Sequence, residues 1–137
     1  MATIFTKIIL GEIPCYKIAE NEHFFAFLDI RPAAKGHTLV IPKEETDYLF
    51  DLQADDIGEL MKFAQRVAKA MDAALKPIRT GVVVEGLEVP HAHIHLIPIY
   101  REGDHAALGH AVALPEDEMA ATAKAIQSAW SDFGFHT

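Results

Sequence analysis

The stretch "VPHAHIHLIPIY", Val89 to Tyr100, puts His91, His93 and His95 at every second position. Side chains alternate between the two faces of a strand, so an extended chain shows all three imidazoles on one side and Ala92, Ile94 and Leu96 on the other. A helix would scatter them. One side is then suited to packing and the other to chemistry, and a sheet becomes the expected frame of the fold.

Working outward, "RTGVVVEG" (residues 79–86) is a β-branched run that predicts a buried strand, antiparallel to the histidine strand if "LEVP" serves as the turn. Upstream, Ile57, Leu60, Met61, Ala64, Val67, Ala68, Met71 and Leu75 recur every three or four positions, which predicts a long amphipathic helix over residues 55–75. "HTLVIP" reads as a strand after the break "RPAAKG", and "CYKIAEN" with "HFFAFLDI" reads as a hairpin around Asn21 and Glu22. At the start, Ile4, Phe5, Ile8 and Ile9 have helical spacing between Thr3, a cap, and Gly11, a stop. Beyond Tyr100, a polar link leads to "LPEDEMAATAKAIQSAW", an alanine-rich helix opened by Pro115 and acidic residues. The order predicts an α+β fold: one domain over residues 1–137, with a five-stranded antiparallel sheet, a long helix packed on it and a C-terminal helix.

Composition narrows the function. A chain of 137 residues, half of them apolar, suffices for one sizeable core. The net charge of −8 and the lack of a basic run argue against binding nucleic acid, while leaving room for a nucleotide in a local pocket. Cys15 is the only cysteine, which precludes an intramolecular disulfide or a Cys-x-x-Cys zinc knuckle and fits a small apolar residue in a reducing cytoplasm. No stretch approaches the roughly 18 apolar residues of a membrane span, and the start lacks a signal-peptide pattern, so a soluble, unprocessed protein is expected.

Three readings compete for the histidines: surface residues, metal ligands, or a nucleophile with two supports. In an extended strand His91 and His95 lie about 13 Å apart, so all three cannot easily converge on one ion with bonds near 2 Å; a pair joined by His37 still can. A neutral imidazole attacks phosphorus well because its lone pair is available near pH 7, and the spacing suits His93 flanked by two imidazoles best. His23, His105, His110 and His136 fall in turns or links and read as solvated surface.

The segment "HAHIHLI", with "FAFLDIRPAAKGHTLVIPK" and "TIFTKIILGEIP" before it, resembles the histidine triad (HIT) superfamily, in its Hint-like branch, over roughly residues 3–100. The resemblance implies a hydrolase or transferase acting on a small nucleotide, with a purine base; no cofactor is expected, and the strand geometry above leads to the expectation of activity without metal. It implies that His93 attacks the α-phosphorus, that His91 and His95 hold its ring and contact the phosphate, and that His37 supports the cluster. Asp29 would accept hydrogen bonds from the ribose hydroxyls, and Phe5, Ile8, Phe27 and Ile30 would clamp the base. It also implies a homodimer with a continuous sheet. Read from the residues alone, Asp29 could instead be a strand-end turn residue, the four apolar residues would be core in any fold, and Pro42 and Lys43 end a strand.

The chain departs from the family pattern just before the triad. Val84 stands where Asn is usual, Leu87 where Gln is usual, and Glu88 where a hydroxyl residue is usual, in a shortened loop. Leu87 and Glu88 would border the phosphate site, with Glu88 expected to weaken anion affinity. This loop keeps open a nucleotide-binding module with little turnover, and a zinc-dependent hydrolase is a third reading.

Overall fold

The computed structural model describes residues 2–135, so His136 lies outside the described residues. Helix α1 (Ile4–Ile9) opens the chain, followed by strands β1 (Lys17–Glu20), β2 (Phe24–Leu28) and β3 (Thr38–Pro42). Helix α2 (Ala54–Leu75), strands β4 (Arg79–Val83) and β5 (Ile94–Ile99), and helix α3 (Glu116–Asp132) complete it. The five strands form one antiparallel sheet in the order β1-β2-β3-β5-β4. This is the α+β architecture expected from the sequence.

Local chemistry accounts for the element ends. Thr3 caps α1 by accepting a hydrogen bond from the Thr6 amide at 3.1 Å, and Gly11 follows with a positive φ of 80°. Asn21 closes the β1–β2 turn by accepting from the amides of His23 and Phe24. Three acidic residues, Glu116, Asp117 and Glu118, sit in the first turn of α3, where the helix dipole favours them.

The sheet divides two apolar clusters. On one face Ala26, Val40, Ile94 and Leu96 meet Leu60, Phe63, Val67 and Met71 of α2 and Ile126 and Trp130 of α3, forming the main core. On the other face Phe25, Phe27, Leu39 and Ile41 form a smaller cluster with Phe5 of α1, flanked by Ile8 and Cys15. Both faces are thus covered, which explains why β2 and β3 are buried throughout instead of alternating with solvent.

Two expectations need correction. The run Arg79–Gly86 is not a buried strand: β4 pairs only with β5, ends at Val83, and leaves Val82 52% exposed at the sheet edge. β-Branched composition reports a fit to a pleated surface and does not distinguish a central strand from an edge. The turn between β4 and β5 is also not confined to Leu87–Pro90; residues 84–93 connect the strands.

Candidate functional site

Of the triad, only His95 lies within β5, because the strand begins at Ile94. His91 and His93 occupy a lead-in that bends at His91, where the His91 amide donates to the Val89 carbonyl, and that is held by the Ala92 amide, which donates to the Thr46 carbonyl at 2.6 Å. The three rings are nevertheless all buried, as is His37, which precedes β3 in the sheet next to β5.

Hydrogen bonds assign a proton to each ring. The Ala33 amide donates to His37 Nδ1 at 2.9 Å, so the neutral His37 carries its proton on Nε2 and gives it to His95 Nδ1, also at 2.9 Å. His95 is left with Nε2–H free to donate. His93 Nδ1–H donates to the His91 carbonyl at 2.7 Å, which leaves the lone pair on His93 Nε2. Neither Nε2 has a protein partner among the described residues, and His93 and His95 both line a cavity of about 230 Å³ with Glu85, Glu88, Leu108 and Gly109. The arrangement therefore presents one nitrogen nucleophile and one N–H donor side by side.

Burial favours the neutral rings that this chain of donors requires. Desolvation, reinforced by the neighbouring His93, pulls both His37 and His95 down to about 4 from an ordinary 6.5. His91 is also lowered, mainly by burial.

His91 is engaged within the protein at both ring nitrogens. Its Nε2–H donates to the Pro42 carbonyl and its Nδ1 accepts from the Thr3 hydroxyl, both at 2.8 Å, so neither nitrogen is available to a phosphate. It is a pin between α1, the end of β3 and the triad segment, and its own carbonyl orients His93. Glu45 extends the pin by accepting from the Thr3 amide and the Thr6 hydroxyl, which hold its carboxylate below the ordinary range. Pro42 is therefore more than a strand end. No sequence signal marks that role, because it rests on a backbone carbonyl.

Asp29 stands at a turn and at the edge of a cavity. One carboxylate oxygen accepts from the Arg31 amide at 2.9 Å as a turn residue does, while the other lies 3.6 Å from His37 Nε2 and borders a second cavity, of about 210 Å³. Burial raises its pKa, partly offset by the Arg31 hydrogen bond. Of the apolar residues expected to clamp a base, Phe5, Phe27 and Ile8 share the smaller apolar cluster and Ile30 stands outside it. Phe5 and Phe27 are buried with ring centroids 5.5 Å apart, and Phe5 meets the His93 ring edge-on at 5.1 Å; Ile8 is half-buried and Ile30 is 74% exposed. Leu87 is exposed in a cleft with His93, and exposed Glu88 borders the cavities at His95.

Residues 10–102 match the HIT domain. The chain belongs to the HIT family. Within that family it is 42% identical over 98 residues to adenosine 5'-monophosphoramidase of Saccharomyces cerevisiae, a match covering 71% of this chain and 62% of the yeast protein. It is 45% identical over 108 residues to an uncharacterised HIT-like protein of Methanocaldococcus jannaschii, covering 74% and 81% of the two chains. A zinc-bound histidine triad protein of Mycobacterium smegmatis superposes with a TM-score of 0.83 at 28% identity, over 98% of this chain and 96% of that one.

The metal reading can be tested on the donor atoms. Asp29, His37 and His95 offer ligand atoms that all lie within 4.8 Å of one another. The Ala33 amide, however, commits the lone pair of His37 Nδ1, so His37 Nε2 is protonated and cannot ligate as a neutral ring. As hydrogen-bonded here, the set does not fit an ion.

Sequence reasoning missed His110. It is exposed, as a link residue was expected to be, yet it lines the cavity with Asp29, Arg31 and His95. Its position depends on how the link folds back, which no local pattern encodes.

Proposed function

We propose that this HIT protein hydrolyses a nucleoside 5'-phosphoramidate or a related nucleotide conjugate through a nucleotidyl-His93 intermediate. The observation that carries the reading is the tautomer of His93: its Nδ1–H is spent on the His91 carbonyl, which leaves the Nε2 lone pair unengaged on a ring that lines a cavity. That nitrogen attacks the α-phosphorus, the P–N bond to the leaving amine breaks, and the amine departs with a proton from solvent. Water then attacks the same phosphorus, the P–Nε2 bond breaks, and the nucleoside monophosphate and neutral His93 are released. His95 Nε2–H donates to a phosphate oxygen throughout, held in that tautomer by His37. Asp29 accepts from the ribose hydroxyls through the oxygen not used by Arg31, and Ile8, Phe27 and Ile30 border the base. The yeast relative's name supports the reaction class.

Mass spectrometry after incubation with adenosine phosphoramidate tests this. A nucleotidyl adduct is expected on the wild type and not on His93→Ala, which should lose turnover while binding nucleotide within about threefold of normal. Full hydrolysis by His93→Ala would overturn the covalent route. The carboxylates of Glu85 and Glu88 beside the cavity favour a second reading, a nucleotide-binding module, which stoichiometric binding without turnover would establish.

We also propose a homodimer formed across β4. The β4 edge is unpaired among the described residues, Val82 is exposed on it, and Tyr48, Phe50, Val84 and Leu87 present exposed apolar surface in one cleft beside it.

A further inference from the structure

One wall of the Asp29 cavity comes from beyond the family-matched stretch, which ends at residue 102. Leu108, Gly109 and His110 of the link between β5 and α3 line the same space as Asp29, Arg31 and His95. Anchors on either side hold this segment against the sheet. On one side Ala106 lies directly over β4, so that a Cβ built on Gly81 would stand 2.5 Å from that of Ala106. On the other, the Val112 amide donates to the Pro32 carbonyl at 2.8 Å.

The space around His95 is bordered by both signs of charge. Glu85 and Glu88 stand on the loop before the triad, with Glu88 reaching both cavities, and the Asp29 cavity adds Arg31 and His110 to its two carboxylates. Carboxylates repel a phosphate, whereas the Arg31 guanidinium attracts it and the His110 ring offers it an N–H donor. We propose that His110 is a substrate-binding residue: with Arg31 it holds the nucleotide's phosphate against His95, so the link supplies the anion grip that the acidic loop cannot. This rests on the nucleotide reading above and assigns that site a wall and a donor.

Calorimetric titration of the full chain with adenosine 5'-monophosphate and, separately, adenosine tests it. The wild type is expected to bind the monophosphate more tightly. His110→Ala should weaken the monophosphate by about tenfold, at the low end of a hydrogen bond to a charged group, and adenosine by less than about twofold. His110→Gln, which keeps an N–H donor, should recover most of the loss. Gly81→Ala should also weaken the monophosphate by displacing Ala106 without altering His110, and Gly81→Ala with Ala106→Gly should restore it. Unchanged monophosphate affinity in His110→Ala, or equal weakening of both ligands, would overturn the assignment while leaving the nucleotide site standing. If the wild type bound neither ligand, the nucleotide reading itself would fall.

Discussion

At the residue scale, the site is organised by which nitrogen of each imidazole is already engaged. His91 shows how far a histidine in a catalytic-looking motif can be structural: both of its nitrogens are used inside the protein, one by Thr3. Thr3→Val would remove that donor and the α1 cap together, leaving a buried nitrogen unpaired, and should cost about 2 kcal/mol of stability. Thr3→Ser should cost much less, and denaturant unfolding of the two variants would show the difference. His37 and His95 give a pH dependence whose sign is set by burial. Their folded values are lowered to about 4, so between about 6.5 and 4 the unfolded chain binds more protons than the folded one. Stability is therefore full above about 6.5 and is lost as the pH falls toward 4. Thermal scans should show the melting temperature dropping across that window, with a shallower drop in the double variant His37→Gln, His95→Gln.

At the element scale, the turn before β3 is what delivers His37. Gly36 has a φ of +89°, and a Cβ there would lie 2.2 Å from Leu75 Cδ1 at the end of α2. Glycine meets two demands at once, a left-handed backbone and close contact with a helix. Gly36→Ala should destabilise the fold by about 1–2 kcal/mol, through backbone strain at its left-handed φ, as measured by chemical unfolding. Because His37 adjoins this turn, the proposed covalent route predicts slower adduct formation at His93 in the same variant. The pattern of α2 was legible from its apolar spacing, and the helix runs over Ala54–Leu75. The register that puts Leu39 opposite His95 was not, because strand pairing depends on residues far apart in the chain.

At the scale of the whole molecule, the proposed homodimer would form across the β4 edge, which is unpaired among the described residues. Light scattering at micromolar concentration should give twice the chain mass. Val82→Lys should shift the protein toward monomer with a change in chain stability of no more than about 0.5 kcal/mol, since the residue is exposed within one chain. A monomeric wild type would count against pairing through this edge. The expected organisation of residues 1–137 as one domain makes a separate prediction, a single calorimetric transition with no independently melting part.

Local patterns by themselves determined the kinds of elements, their order and the cluster of chemistry-bearing residues. Periodicity, capping and turn chemistry act over a few residues and are written along the chain: Thr3 and Gly11 bound α1, and His91, His93 and His95 share a short segment. Only the tertiary structure decided that β4 is an edge, that His91 is a pin, and that Ala33 and His37 set the tautomer of His95. The same holds for the link that brings His110 back to Asp29. Each of these depends on groups distant in sequence, and several on backbone carbonyls or amides that every residue possesses and no side-chain pattern distinguishes.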